Sequence, residues 1–303
     1  MAYPEKKSMD FPLFLYILLD ARIQRLIISR KRRGYKVNFT DKLKNAVSKN
    51  NSLVCVGLDP DPDLFPDPES VIEFNKAIID ATADLVCAYK PNFAFYEAFG
   101  AQGLNALKET VDYIPKDIPV IADAKRGDIG NTAQAYAKSV FDNFNFDAVT
   151  INPYMGYDSV APFIEYRNRG VFILCRTSNA GSGDFQSLSC VADGRNIPLF
   201  HMVADRASQW NKYGNVGLVV GATYPDELKL LREIYPDMLL LIPGIGAQGG
   251  DLEKAVRNSI DAGGRGIIIN SARQIIYASR GADFAAAANK AAKDLRDSIN
   301  DFR

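Results

Sequence analysis

The chain has 303 residues, enough for one large α/β barrel or for two smaller domains. Its 36 basic residues balance 36 acidic ones, so the sequence lacks the basic excess that is typical of nucleic-acid-binding proteins. His201 is the only histidine, which argues against a zinc site or a Ser-His-Asp triad, because both are built around imidazole. We expect His201 to be a helix surface or packing residue.

The four cysteines indicate a reducing environment. Cys55, Cys87, Cys175 and Cys190 have no C-x-x-C spacing, and the first three lie within apolar runs. This pattern predicts buried free thiols in the cytoplasm and argues against disulfides or metal ligands.

We divide the chain into an N-terminal extension, residues 1–36, and one domain, residues 37–303. The apolar run at 11–19 is too short to cross a bilayer, and no small-residue cleavage site follows it. We therefore predict a cytoplasmic protein without a membrane span. Three interpretations of the extension stay open: a basic amphipathic helix that contacts a membrane or a partner, a disordered segment, or an untranslated stretch. The last would follow if 31–36 were encoded by a purine-rich ribosome-binding sequence, with translation starting at Val37.

Eight short apolar runs follow the extension in chain order, at 52–59, 84–90, 118–125, 147–153, 171–178, 216–223, 239–246 and 266–272. Their apolar residues are continuous, which is typical of parallel strands covered on both faces. Between them lie amphipathic stretches with helical period, such as 70–83, 131–144, 225–235 and 251–262. This alternation predicts a single-domain (β/α)8 TIM barrel. A doubly wound open sheet is the alternative, but no G-x-G-x-x-G follows the first strand.

Ionisable residues end three consecutive predicted strands. Asp59 ends the first, Lys90 the second, and Asp123 and Lys125 the third, with Asp128 on the loop that follows. In a barrel the C-terminal strand ends carry the chemistry, and alternation along the third strand directs Asp123 and Lys125 to the same side. Exposed ion pairs are the structural alternative. An ammonium among carboxylates suits a proton donor better than a Schiff-base nucleophile, so we predict formation and protonation of a carbanion.

The loops after the last two strands favour phosphate binding. Glycines recur at 243–251, and Arg273 follows the eighth strand. Loops in these positions commonly bind phosphate through backbone N–H groups, to which Gln248 and Arg273 can add side-chain donors. The alternative is that the glycines only make tight turns. The pattern predicts a substrate with a phosphate monoester.

The motif "DAKRGDIGNT" resembles the Asp-x-Lys-x-x-Asp-Ile signature of the orotidine 5′-phosphate decarboxylase family. Similar blocks occur in the family's order over 38–303, in the style of its bacterial type 2 branch: "GLDPDP", "YKPNFAFYEAFG", "TINPYMG", "CRTSN", "VVGAT", "PGIGAQGGD" and "NSARQIIYAS". The short signature is shared with related sugar-phosphate enzymes, whereas the full set is more specific. The resemblance implies a TIM barrel that converts orotidine 5′-phosphate to UMP, the last step of de novo pyrimidine nucleotide synthesis, without metal or organic cofactor.

The resemblance also implies roles for individual residues. The catalytic network would comprise Lys90, Asp123, Lys125 and Asp128, with Lys125 protonating C6 and Asp123 near the departing carboxylate. Asp59 and Lys90 would hold the ribose, Ser178 the pyrimidine, with Thr177 and Asn179 as its alternatives, and Gln248 and Arg273 the phosphate. Asp128 and Thr132 would reach the partner's site in a homodimer. The implied substrate-binding set is Asp59, Thr132, Ser178, Pro243, Gly246, Gln248, Gly249, Ala272 and Arg273.

Two loops have predicted roles beside this site. The polar, glycine-bearing segment 179–198 is expected to be a mobile lid, and the acidic run 59–69 a solvated loop with Asp59 alone facing the site. Three rival functions stay open: a metal-dependent sugar-phosphate decarboxylase of the same superfamily, a Schiff-base aldolase using Lys90 or Lys125, and a non-catalytic barrel tethered through its basic extension.

Overall fold

The computed structural model describes residues 37–192, 194–245 and 251–303. The strands are β1 Val54–Leu58, β2 Ala88–Pro91, β3 Ile121–Arg126, β4 Ala148–Ile151, β5 Gly170–Arg176, β6 Ser189–Ala192, β7 Arg195–Pro198, β8 Val216–Val220, β9 Leu239–Pro243 and β10 Ile267–Ser271. The α-helices are α1 Phe39–Asn50, α2 Pro68–Thr82, α3 Phe93–Glu97, α4 Gly100–Tyr113, α5 Gly130–Lys138, α6 Tyr157–Ile164, α7 Leu199–Trp210, α8 Pro225–Ile234, α9 Leu252–Ser259, α10 Arg273–Ile276 and α11 Phe284–Phe302. The extension and its three interpretations lie outside the described residues.

Eight parallel strands form the barrel, in the order β2-β1-β10-β9-β8-β5-β4-β3. Bridges from Tyr89 to Val120 and from Asn92 to Asp123 join β2 to β3 and close the ring. Every residue of β1, β8 and β10 is buried, as the continuous apolar runs require when helices cover the outside of a sheet. The predicted (β/α)8 barrel and its eight strands are confirmed.

The first helix packs against the N-terminal end of the barrel. Phe39 of α1 lies edge-on to Phe172 of β5, with ring centroids 5.8 Å apart, and Lys42 donates to Asp147 at 2.7 Å. These contacts occupy the end of the barrel opposite the predicted site, so the C-terminal strand ends remain available for chemistry.

The segment 179–198 has more structure than its polar composition indicates. It contains a 3₁₀ turn, Ala180–Asp184, followed by an antiparallel hairpin in which β6 pairs with β7. Its status as a mobile lid stays a prediction.

The structure also places the cysteines and the histidine. Cys55, Cys87 and Cys175 are buried free thiols, as predicted, and Cys190 is half-buried and free. His201 lies on α7 against the ring of Tyr235, which confirms a packing role. Within the described ranges, no helix is long and apolar enough to cross a membrane.

Candidate active site

A cavity of about 520 Å³ opens at the C-terminal ends of the strands. Eight of the sequence-predicted residues line it: Asp59, Lys90, Asp123, Lys125, Ser178, Pro243, Ala272 and Arg273. The structure thus brings residues from β1, β2, β3, β9 and the loops after β5 and β10 to one place, as the barrel prediction required.

The Asp123 carboxylate lies between two ammonium groups. Lys90 Nζ donates to Asp123 Oδ2 at 2.7 Å, and Lys125 Nζ donates to Asp123 Oδ1 at 2.6 Å. The Lys90 side chain is 5% exposed, whereas that of Lys125 is 49% exposed. Both lysines line the cavity, and Lys125 is the more accessible ammonium group for a ligand.

This arrangement keeps Lys90 and Asp123 ionised. Burial opposes both charges, but the carboxylates of Asp123 and Asp59 raise the pKa of Lys90 above its ordinary value. Burial likewise opposes the charge on Asp123, yet Lys90 and Lys125 hold the pKa of Asp123 well below its ordinary value. A fixed negative charge between two positive ones is thus present before any ligand binds.

Asp59 is in a different electrostatic state from Asp123. Its Oδ1 atom is shielded from solvent and has no hydrogen-bond partner among the residues that the structure describes. Burial raises the pKa of Asp59, and the nearby charge of Asp123 adds to this rise against the opposing attraction of Lys90. An unpaired buried acceptor at the cavity wall is ready to receive a donor from a ligand.

Two glycines make room for cavity residues. A Cβ at Gly221, just after β8, would lie 2.7 Å from the Ser178 Cβ and 2.8 Å from its backbone nitrogen. A Cβ at Gly57 of β1 would lie 2.5 Å from the Cβ of Ala272. These contacts are shorter than side chains tolerate, so the close approach of Ser178 and Ala272 to neighbouring strands requires glycine.

The predicted phosphate end is partly described. Arg273 is exposed at the start of α10 and lines the cavity together with Pro243 and Ala272. Gly246, Gln248 and Gly249 lie outside the described residues, so their predicted places stay predictions.

Asp128 and Thr132 do not lie with the other predicted residues. Neither lines the described part of the cavity in its own chain. Asp128 is half-buried and accepts from the N–H of Ile129 at 2.8 Å, while Thr132 is exposed on α5. Their absence from this cavity is compatible with the predicted role in a partner's site, which stays a prediction.

The sequence analysis assigned no role to five polar residues that line the cavity: Thr150, Gln186, Asn270, Ser271 and Gln274. Gln186 comes from the segment before the hairpin and returns to the end of β5, where its Oε1 accepts from Thr177 N at 2.8 Å. Thr150 and Asn270 lie within apolar strands, so their composition gives no functional signal. Only the position of Thr150 two residues before the loop after β4 could have indicated it.

Arg176 connects the end of β5 to the segment that contains Gln186. Its buried guanidinium donates to Glu227 at 2.7 Å and to Ser182 at 2.6 Å, and it lies 3.6 Å from the centre of the Tyr224 ring. These contacts attach the 3₁₀ turn beside the cavity to the barrel wall.

No group of three or more His, Cys, Asp or Glu side chains is arranged to hold a metal ion in the described part of the chain. The polar groups that the cavity offers are ammonium, guanidinium, carboxylate, hydroxyl and amide. A (β/α)8 barrel with carboxylates and ammonium groups collected at its C-terminal end defines a class: a barrel enzyme for a small ionic substrate.

Comparison with known proteins narrows this class to one family. The model of the "Orotidine 5′-phosphate decarboxylase / HUMPS family" matches residues 52–290. The chain belongs to this family. It is 55% identical to an orotidine 5′-phosphate decarboxylase of Dehalococcoides mccartyi over 267 residues, which cover 88% of this chain and 99% of that protein. It is 52% identical to the decarboxylase of Cellvibrio japonicus, with 87% and 98% covered.

Solved structures are similar over the same region. The orotidine monophosphate decarboxylase of Leishmania donovani has 44% identity and a TM-score of 0.78, with 88% of this chain and 99% of that chain covered. The UMP synthase of the same organism has the same identity and TM-score, but the chain spans only 57% of its length.

Proposed function

We propose that the protein decarboxylates orotidine 5′-phosphate to UMP, the last step of de novo pyrimidine nucleotide synthesis, as a cofactor-independent carboxy-lyase. The observation that carries this proposal is the Asp123 carboxylate fixed between Lys90 and Lys125 in the cavity. The named relatives, at 55% and 52% identity, support the substrate.

In this mechanism the bond between C6 and the carboxylate carbon breaks, carbon dioxide leaves, and the electron pair stays on C6. The Lys125 ammonium stabilises the developing negative charge and donates a proton to C6, and its amine then regains a proton from solvent. Both lysines contact Asp123, and Lys125 is assigned this role because its side chain is 49% exposed whereas that of Lys90 is 5% exposed. Asp123 keeps Lys125 in place and lies near the departing carboxylate.

The remaining residues would hold the substrate away from C6. Asp59, which is half-buried and lines the cavity, would accept from a ribose hydroxyl with Lys90 beside it. Ser178 would contact the pyrimidine. Arg273, with Gln248 and the adjoining Pro243, Gly246, Gly249 and Ala272, would bind the phosphate, which supplies binding energy far from the reacting carbon.

We also propose that the enzyme is a homodimer in which Asp128 and Thr132 complete the partner's site. Exposed apolar side chains lie on the loops after β3 and β4: Ile129 is 53%, Tyr154 85% and Met155 46% exposed. The loops after β3 and β4 that carry them touch, since a Cβ at Gly127 would lie 3.1 Å from the Asn152 carbonyl oxygen. Exposed apolar side chains on two adjoining loops are typical of a protein interface. The buried free thiols Cys55, Cys87 and Cys175 support a cytoplasmic location.

The experiment that tests this function is incubation of the purified protein with orotidine 5′-phosphate in the presence of a chelator, with conversion to UMP followed by ultraviolet absorbance. We expect conversion that the chelator does not change. Conversion that requires an added divalent metal would contradict the cofactor-independent mechanism, and failure of a folded protein to convert the substrate would contradict the proposed activity.

A further inference from the structure

The third strand of the barrel is irregular where its two catalytic candidates lie. Its pairing with β4 is regular at Ile121 and Ala122, then shifts, so that Arg126 pairs with Ile151. Three residues of β3 thus stand beside one residue of β4, Thr150. Lys125, in this bulge, has a φ of 45°, in the left-handed region that a side-chain-bearing residue enters only when its surroundings hold it there.

The Thr150 hydroxyl forms hydrogen bonds to this bulge in three directions. It accepts from the N–H of Ala124 at 3.1 Å and from the N–H of Lys125 at 3.0 Å, and it donates to Asp123 Oδ1 at 3.1 Å. The Ala122 carbonyl oxygen is a second acceptor for the hydroxyl proton but is farther away, at 3.5 Å. A hydroxyl has one donor and two acceptor positions, so the three shorter bonds use its full capacity. Thr150 is 2% exposed, and the branching at its Cβ restricts its rotamer.

The same oxygen therefore fixes both the backbone and the charge of the site. Its two accepted bonds hold the peptide units on either side of Ala124. The second of these units leads directly to the Cα atom of Lys125. Its donated bond orients the carboxylate that Lys125 and Lys90 contact. No other described side chain bonds to all three of these residues.

We propose that Thr150 is a positioning residue of the decarboxylation site, which sets the geometry of the Asp123–Lys125 pair through the bulge in β3. This proposal deepens the proposed function and rests on it. Thr150 acts through Asp123 and Lys125, so its loss should impair the chemical step more than substrate binding. Misplacement of a reacting group by about 1 Å can lower a rate roughly 100-fold.

The test compares Thr150→Val, which keeps the shape and removes the hydroxyl, with Thr150→Ser, which keeps the hydroxyl. We expect Thr150→Val to lower kcat for orotidine 5′-phosphate by roughly 100-fold with KM changed by less than about threefold. Thr150→Ser should retain kcat within about tenfold of the unmodified protein. The matched control is Thr82→Val, which removes the hydroxyl of another fully buried threonine. Thr82 does not line the cavity, and its hydroxyl donates to the Ile78 carbonyl oxygen at 2.7 Å.

Hydrogen exchange supplies a readout that does not need activity. The amides of Ala124 and Lys125 should exchange at least about tenfold faster in Thr150→Val than in Thr150→Ser, because only the valine variant lacks their acceptor. Equal kcat values for Thr150→Val and Thr82→Val, or unchanged exchange at these amides, would overturn the proposal. If the unmodified protein does not convert the substrate, the proposed function fails, and the exchange comparison alone then decides whether Thr150 holds the bulge.

Discussion

At the scale of single residues, the two carboxylates of the site differ in what they do for stability. Asp123 is stabilised as an anion by Lys90 and Lys125, whereas Asp59 is half-buried and its Oδ1 atom is shielded from water and unpaired. Ionised Asp59 therefore lowers the stability of the free protein in exchange for a preorganised acceptor. Such conflicts between stability and function are expected at active sites.

We predict that Asp59→Asn raises the free energy of unfolding by about 1 kcal/mol at pH 7 and lowers activity. Folding raises the pKa of Asp59 above its ordinary value of 3.8. Ionisation of Asp59 therefore destabilises the folded protein fully only at pH values above the raised pKa, and not at all at pH values well below 3.8. The gain in the variant should thus shrink as the pH falls toward 4. Urea unfolding at several pH values measures this, with the exposed Asp63→Asn as control. An equal gain at pH 7 and pH 4 would contradict the account.

At the scale of elements, Arg176 connects β5, the 3₁₀ turn at Ala180–Asp184 and α8. Its guanidinium donates to Ser182 on the turn and to Glu227 on α8. The cavity residue Gln186 follows the turn closely and bonds to Thr177. The turn beside the cavity is therefore attached to the barrel by a buried cation.

We predict that Arg176→Met weakens this attachment, lowers stability by about 2 kcal/mol and raises KM several-fold, because Glu227 and Ser182 lose their donor. Hydrogen exchange of the peptide 177–190 should become faster. Arg195→Met is the matched control, since Arg195 lies on the neighbouring hairpin in an exposed ion pair with Asp205. Unchanged exchange in Arg176→Met, or the same change in Arg195→Met, would show that Arg176 does not hold the turn.

The sequence predicted the elements better than their local irregularities. The eight barrel strands could be predicted because short, continuous apolar runs are typical of parallel strands buried on both faces. The proximity of Asp123 and Lys125 was also predicted, from the alternation of side chains along a regular strand. The strand is not regular there, because it bulges at Lys125. The acceptor that holds the bulge, Thr150, lies on another strand. The hairpin at β6 and β7 was missed because each of its strands has only four residues and neither forms a long apolar run like those of the barrel. Neither feature is encoded locally, since each depends on a contact with a distant part of the chain.

At the scale of the whole molecule, the proposed homodimer would complete a site to which one chain contributes only part. Asp128 and Thr132 do not line the described cavity, and the loops after β3 and β4 carry the exposed apolar side chains of Ile129, Tyr154 and Met155. A symmetric dimer would cover this patch and bring each Asp128 to the other subunit's Lys125.

We predict that Lys125→Ala and Asp128→Ala, each nearly inactive alone, regain activity when they are unfolded together and refolded as a mixture. Half of the dimers would then be mixed, each with one intact site of two, so roughly a quarter of the normal activity should return. Size-exclusion chromatography checks that dimers form. A mixture no more active than its separate components would contradict shared sites.

The most direct test of the central claim, that Lys125 protonates C6, is the rate of orotidine 5′-phosphate decarboxylation by Lys125→Ala beside the unmodified protein and the exposed control Lys229→Ala. We expect kcat to fall by at least about 100-fold in Lys125→Ala. We expect normal activity for Lys229→Ala. Rapid conversion by folded Lys125→Ala would contradict the account, because the proton and the positive charge would then have to come from another group.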